Sequence, residues 1–185
     1  MRVTGGRFRG QRIRTSKTRV YRPTQDKVRA AIFNHLAGFV NGARVLDLYC
    51  GTGALGIGAL SRGAEYAVFC DNTAPAVRMT SENLKNIVQD ANRYEVIRSD
   101  AASLCSRLAG RSDKFDLVFV DPPYNSGLYE GIIMVLGSTG IIVKNGVLVV
   151  EHSKKYALPR TAGRLGIYAE KTYGDTMISY YTMED

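Results

Sequence analysis

The sequence predicts an α/β fold: a mostly parallel seven-stranded sheet with helices on both faces. Two observations carry this reading. Five short apolar runs between residues 44 and 151 alternate with helical stretches, which builds parallel strands joined by crossover helices. The chain then closes on two alternating strands joined at Gly174-Asp175, an antiparallel pair at one edge. With 185 residues, 45% of them hydrophobic, there is material for one core and too little for two. The expected organisation is a single domain over 1–185, with a basic arm at 1–22 and the core at 23–185.

The arm comes first. "RVTG" and "QRIRT" alternate polar with apolar around Gly5, Gly6 and Gly10, which reads as a short hairpin. The formal charge of +8 is concentrated here: residues 1–29 hold ten Arg or Lys against the single acid Asp26, and the rest of the chain nets −1. Such a block is a footprint for a polyanion, nucleic acid before anionic lipid; the bland alternative is a solvated tail. Arg7, Arg9, Arg12, Arg14, Lys17 and Arg19 are the candidate RNA contacts, with Phe8 among the cations to stack on a base.

"RPTQDKVRAAIFNHL" follows. Pro23 stops what precedes it, Thr24 can cap, and Val28, Ile32 and Leu36 form a helical apolar stripe. Strands are expected at 44–49, 66–70, 94–99, 115–120, 146–151, 165–173 and 176–181. Helices are expected after Ala54, over 74–88, through Leu108, and near 128–136.

Several classes are excluded or disfavoured. "MRVTGGRFRG" has no apolar signal region, and glycines and Lys144 break the most apolar tract, residues 131–150, so no membrane span is expected. Cys50, Cys70 and Cys105 form no C-x-x-C, and only His35 and His152 accompany them, which argues against a zinc site and a disulfide framework. A reducing cytoplasm fits this composition.

"CGTGALG", residues 50–56, spells G-x-G-x-x-G at the end of the first core strand, the fingerprint of a dinucleotide site. The acids around it point elsewhere. Ligands of such sheets bind beyond the carboxyl ends of the strands, and there lie Asp47, Asp71, Asp100 and Asp121. Asp71 suits the ribose of any adenosine cofactor. Asp47 would repel a pyrophosphate at the helix N-terminus but attract an ammonium. Asp100, followed by the small Ala101, suits an adenine amino group and a flat ring. These groups match S-adenosylmethionine, which has no phosphate, better than NAD. Tyr49, Gly51, Gly53 and Asn72 complete the candidate cofactor set.

"DPPY", residues 121–124, leaves the fourth core strand. Two prolines remove two donors and fix φ, so the Asp121 carboxylate and the Pro122 carbonyl become neighbouring acceptors. Together they can hold both hydrogens of a planar exocyclic amine, with Pro123 stiffening the turn and Tyr124 offering a ring for a base. That arrangement suits in-line methyl transfer to nitrogen. A base inside a helix cannot reach it, so the target must be looped out or flipped.

"RVTGGRFRG", "RPTQDKVRAAIFNHL", "DLYCGTGALGIGALSRGA", "DPPY" and "YGDTMISYY" together resemble the RsmD family across nearly the whole chain. The resemblance implies a Rossmann-like class I S-adenosylmethionine-dependent methyltransferase fold. It also implies transfer to the N2 amine of one guanine in 16S ribosomal RNA, within the assembled small subunit. No membrane and no obligate protein partner are implied. It places Arg22 and Thr24 near the cofactor's methionine end. Cys50, where alanine is common, and Thr73, where an acid is usual, depart from the pattern. Other amino-methyltransferases, acting on adenine, cytosine or protein glutamine, share parts of these motifs. A non-catalytic RNA-binding assembly factor on the same fold is the reading from another class.

Overall fold

The computed structural model describes residues 1–15, 23–122 and 127–184, without the side chains of Pro23 and Thr24. Lys17, Arg19, Arg22, the Thr24 side chain, Pro123 and Tyr124 lie outside the described residues.

The elements are α1 (Pro23–His35), β1 (Arg44–Leu48), α2 (Ala54–Ser61), β2 (Tyr66–Asp71), α3 (Ala74–Ile87), β3 (Tyr94–Arg98), α4 (Ala101–Gly110), β4 (Phe115–Val120), α5 (Tyr129–Thr139), β5 (Ile142–Ser153), β6 (Thr161–Ala162), β7 (Leu165–Tyr173) and β8 (Thr176–Met183). They form one sheet in the order β3-β2-β1-β4-β5-β8-β7-β6. Strands β1 to β5 pair in parallel, whereas β8 enters antiparallel to β5 and pairs with β7.

The sheet has eight strands rather than the seven expected. The additional one is the two-residue β6, too short to show a pattern of its own, which pairs antiparallel with the start of β7. β5 begins four residues earlier than its apolar run suggests. Ile142 pairs with Phe115, a register shift follows, and pairing resumes at Leu117↔Val147. Asn145, with φ 60°, takes up the irregularity.

Two hydrophobic clusters cover the two faces. The first joins the arm, α1, α2 and α3 to one side of the sheet; the second packs α4 and α5 against the other. Residues 1–15 of the arm are therefore packed against the core, not a solvated tail. Val3, Phe8 and Ile13 are buried while Arg7, Arg9, Arg12 and Arg14 alternate outward. Among the described residues the arm makes one isolated antiparallel bridge, Arg2↔Arg12. A turn at residues 5–8 docks on the end of α2. Ser61 Oγ accepts from Phe8 N (2.8 Å) and donates to the Gly5 carbonyl (2.6 Å). The Phe8 ring is only 6% exposed, which corrects the expectation that it stacks on a base: the surrounding arginines face water, but the ring fills the core.

The glycine turn shows why its spelling misleads. Gly51 (φ 56°) and Gly53 (φ 75°) adopt left-handed conformations, and Gly53 caps α2. A Cβ on Gly56 would lie 2.2 Å from Phe69 Cε1 and 3.1 Å from Asp47 Oδ2. The third glycine thus serves close helix–strand contact, a need of the fold that does not depend on a phosphate. Gly56→Ala is expected to cost about 1–3 kcal/mol through overpacking, read as an earlier midpoint in urea unfolding.

Candidate active site

The strand order reverses between β1 and β4, so a crevice opens beyond their carboxyl ends. A cleft lies there, lined by Asp47, Tyr49, Cys50, Thr52, Ala54 and Leu55 from the β1–α2 connection. Asp121 after β4, Glu151 in β5, Gln25 and Arg29 of α1, and Met1 and Thr15 of the arm complete it. Of the expected site residues, the structure brings Asp47, Tyr49 and Asp121 together around this one space.

Asp47 is the buried acid at its floor, 1% exposed. Its Oδ2 accepts from Gly56 N at 2.8 Å. Burial pushes the carboxyl up to about 7, against the pull of the Gly56 hydrogen bond and with a further push from Asp71. Tyr49 leaves β1 with φ 60°, a left-handed conformation rare for an aromatic residue. Strain of this kind is retained where the surrounding structure holds it in place, here at the cleft wall. Burial, then the field of Asp100, raises the Tyr49 hydroxyl to about 12, so it stays protonated.

Asp71, Asn72, Asp100 and Ala101 do not line this cleft; they continue the same sheet edge at the ends of β2 and β3 as a more open shelf. Asp71 is pre-ordered there. Its Oδ2 accepts from Gly51 N (3.1 Å), and its Oδ1 accepts from the amide and hydroxyl of Thr73 (both 2.9 Å). Thr73, the departure from the family pattern, also caps α3 through Ala76 N. It anchors the acid it follows without adding a second charge. Asp100 caps α4, accepting from Ser103 N at 3.0 Å, and that bond first of all holds its carboxyl below the usual range. Ala101 is buried in the first turn of α4. Asn72 is exposed.

Cys50, the other departure, is buried with Sγ 3.5 Å from Thr80 Oγ1. Burial pushes its thiol far above the ordinary value, which leaves it neutral and a poor nucleophile. Thr80 donates to the Gly51 carbonyl (3.0 Å), and Asn83 donates to the Thr52 carbonyl (2.9 Å). The Asn83 side chain also exchanges two hydrogen bonds with the Arg14 backbone, tying the arm to the turn.

Two charged cleft residues were missed in the sequence. Glu151 ends the apolar run of β5, and the rule that found the other strand-end acids applies to it equally. Arg29 lies among Val28, Ile32, Phe33 and Leu36 on the buried face of α1 and is 7% exposed, a charged residue on an apolar stripe.

The family model described as Conserved hypothetical protein 95 matches residues 1–182. The chain belongs to the RsmD family. The ribosomal RNA small subunit methyltransferase D of Escherichia coli K12 is 32% identical over 184 residues, covering 100% of this chain and 90% of that one. YlbH of Bacillus subtilis strain 168 is 34% identical over 98% of both chains. The structure of yhhF from Escherichia coli superimposes with a TM-score of 0.87 at 31% identity, over 100% of this chain and 98% of that one. A magnesium protoporphyrin IX methyltransferase from Synechocystis, solved with bound S-adenosylmethionine, shares the fold at a TM-score of 0.64 and 16% identity. The matched span takes in the described residues of the arm as well as the α/β core. Among the described residues no helix is long and apolar enough to cross a membrane.

Proposed function

We propose that this chain transfers a methyl group from S-adenosylmethionine to the exocyclic N2 amine of a guanine in small-subunit ribosomal RNA. The carrying observation is the pairing of Asp47 and Asp121 across one cleft at the β1/β4 switch point. S-adenosylmethionine supplies an activated methyl group on a sulfonium.

The residues present fit this donor. Among the described residues the buried Asp47 carboxyl forms no ion pair, its hydrogen bond coming from Gly56 N, and an α-ammonium there would stabilise its charged form. Asp71, held by Gly51 and Thr73, is ready to accept from ribose hydroxyls, and Asp100 and Ala101 border the shelf where adenine would lie. Arg22 and Thr24 are assigned to the methionine end by family resemblance.

On the acceptor side, Asp121 and the Pro122 carbonyl hold the two amine hydrogens, and Tyr124 stacks on the base. Orienting the amine in line with the methyl accounts for most of the acceleration, up to about 7–11 kcal/mol in well-aligned systems. With the donor bound, the sulfonium would supply the methyl and be left as a thioether, and the methylated amine would release one proton to solvent. The neutral Cys50 thiol leaves no role there for a cysteine nucleophile.

The test is incubation of the protein with labelled S-adenosylmethionine and small ribosomal subunits lacking the mark, followed by nucleoside analysis. Label in N2-methylguanosine is the expected result. Label in methylated adenine, cytosine or protein would move the site to another acceptor. Cofactor binding without transfer to any of these would leave an assembly factor.

The outward-facing arginines of the arm are assigned to RNA phosphates. Neutralising Arg7, Arg9 and Arg12 is expected to weaken RNA binding and reduce its salt slope by about 0.7–0.9 per lost contact, measured by titration at several salt concentrations. An unchanged slope would remove RNA contact from the arm.

A further inference from the structure

We propose that Arg29 is a positioning residue for methyl transfer, holding the Asp121 carboxylate charged and aimed into the cleft. The inference rests on the assignment of Asp121 to the target amine.

Arg29 is the sole buried lysine or arginine among the described residues, and it lines the same cleft as Asp47, Asp121 and Glu151. Three carboxylates around one cleft repel one another, and the cost is met by protonating one of them. A fixed guanidinium decides which one. Its planar fork bonds several oxygens at once and does not give up its proton at physiological pH.

Arg29 is itself held in place. It pairs with Asp26 one turn earlier in α1 and donates to the Arg2 carbonyl of the arm at 3.4 Å. Arg29 also lines the cleft. Burial lowers Arg29 to about 10, and Glu151 and then Asp121 act against that lowering, so both acids lie within its field. The reciprocal effect of Arg29 on Asp121 is to favour the carboxylate. The charged and titratable residues lining this cleft are Arg29 of α1, Asp47, Tyr49 and Cys50 at the end of β1, Asp121 after β4, Glu151 of β5, and Met1, whose amine feels Arg29; Asp26 pairs with Arg29 from α1 without lining the cleft. Asp26 pairs with Arg29 directly and Asp47 is committed to the turn by Gly56; of the other cleft acids, Asp121 and Glu151 both lie within the field of Arg29. A protonated Asp121 would present one acceptor fewer to the amine. Loss of Arg29 therefore acts on turnover more than on cofactor affinity.

The test measures kcat for transfer to unmethylated small subunits as a function of pH at saturating S-adenosylmethionine, with cofactor Kd taken separately by calorimetry. Arg29→Met is expected to lower kcat at neutral pH by about tenfold or more and to shift the acid limb of the profile upward by about one pH unit, with Kd changed less than about threefold. Arg29→Lys, which keeps the charge, is expected to leave the limb near that of the parent. If Arg29→Met does not fold, Arg29→Gln serves as the neutral variant. An unmoved acid limb in the folded neutral variant, or an Arg29→Lys limb shifted as far as the neutral one, overturns the role of Arg29. A parent protein that transfers nothing to any acceptor overturns the proposed function instead.

Discussion

Asp121→Ala is expected to abolish methyl transfer while leaving S-adenosylmethionine binding nearly unchanged. The carboxylate follows β4 directly and faces the cleft, whereas the acids assigned to the cofactor stand at the ends of β1, β2 and β3. Removing one pre-positioned group from a reacting centre costs on the order of 10²–10³-fold in turnover. The same change takes nothing from the ground-state contacts of the donor, so calorimetric Kd stays within about threefold while single-turnover transfer falls. Arg29 keeps Asp26 as a partner, and the fold is expected to survive the substitution, checked by an unchanged urea midpoint. Transfer within tenfold of the parent would mean that the amine is held elsewhere.

Cofactor binding is expected to tighten as pH rises from 5.5 to 7 and to release a proton at Asp47. The sign follows from burial. In the free protein the Asp47 carboxyl is raised to about 7 and is largely protonated at the acid end of this range. An ammonium in the cleft favours the carboxylate, so binding must displace that proton. Below the free-state value each pH unit costs up to about tenfold in affinity. Asp47→Asn should flatten this dependence and weaken binding by about 10²–10³-fold at neutral pH, the scale for breaking a buried charge pair. The same linkage predicts the reverse for the free fold. A raised folded-state value contributes stability that is present below the unfolded value of 3.8 and lost as pH rises through about 7. Asp47→Asn without cofactor should therefore lose less stability than the parent between pH 5 and 8. Calorimetry in buffers of different ionisation enthalpy reads the released proton; affinity that is flat with pH would take the ammonium away from Asp47.

The arm shows how a sequence reading can be right in charge and wrong in packing. The alternation of arginine with Val3, Phe8 and Ile13 is plain in the sequence, and so is the basic excess. Which side of that alternation meets solvent depends on Ser61, more than fifty residues away, whose hydroxyl and carbonyl receive the turn at residues 5–8. Phe8 read as a stacking ring because its neighbours are cations; it is a core residue because α2 ends where it does. Arg29 is the converse case. It was passed over in the sequence although it sits on an apolar stripe, and a stripe does not say what lies opposite; Asp121 and Glu151 line the same cleft.

The sequence by itself determined the order of strands and helices, the acids at the strand ends, the basic excess of the arm and the family. Each of these is written in local spacing or in composition, where periodicity and turn chemistry act within a few residues. Only the tertiary structure decided that β6 adds an eighth strand and that Gly56 serves close packing against Phe69. It alone brought Arg29, Glu151 and Asp121 around one cleft. Those outcomes depend on distances between residues far apart in the chain, set by sheet order and by which faces pack, and no local pattern encodes a separation in space.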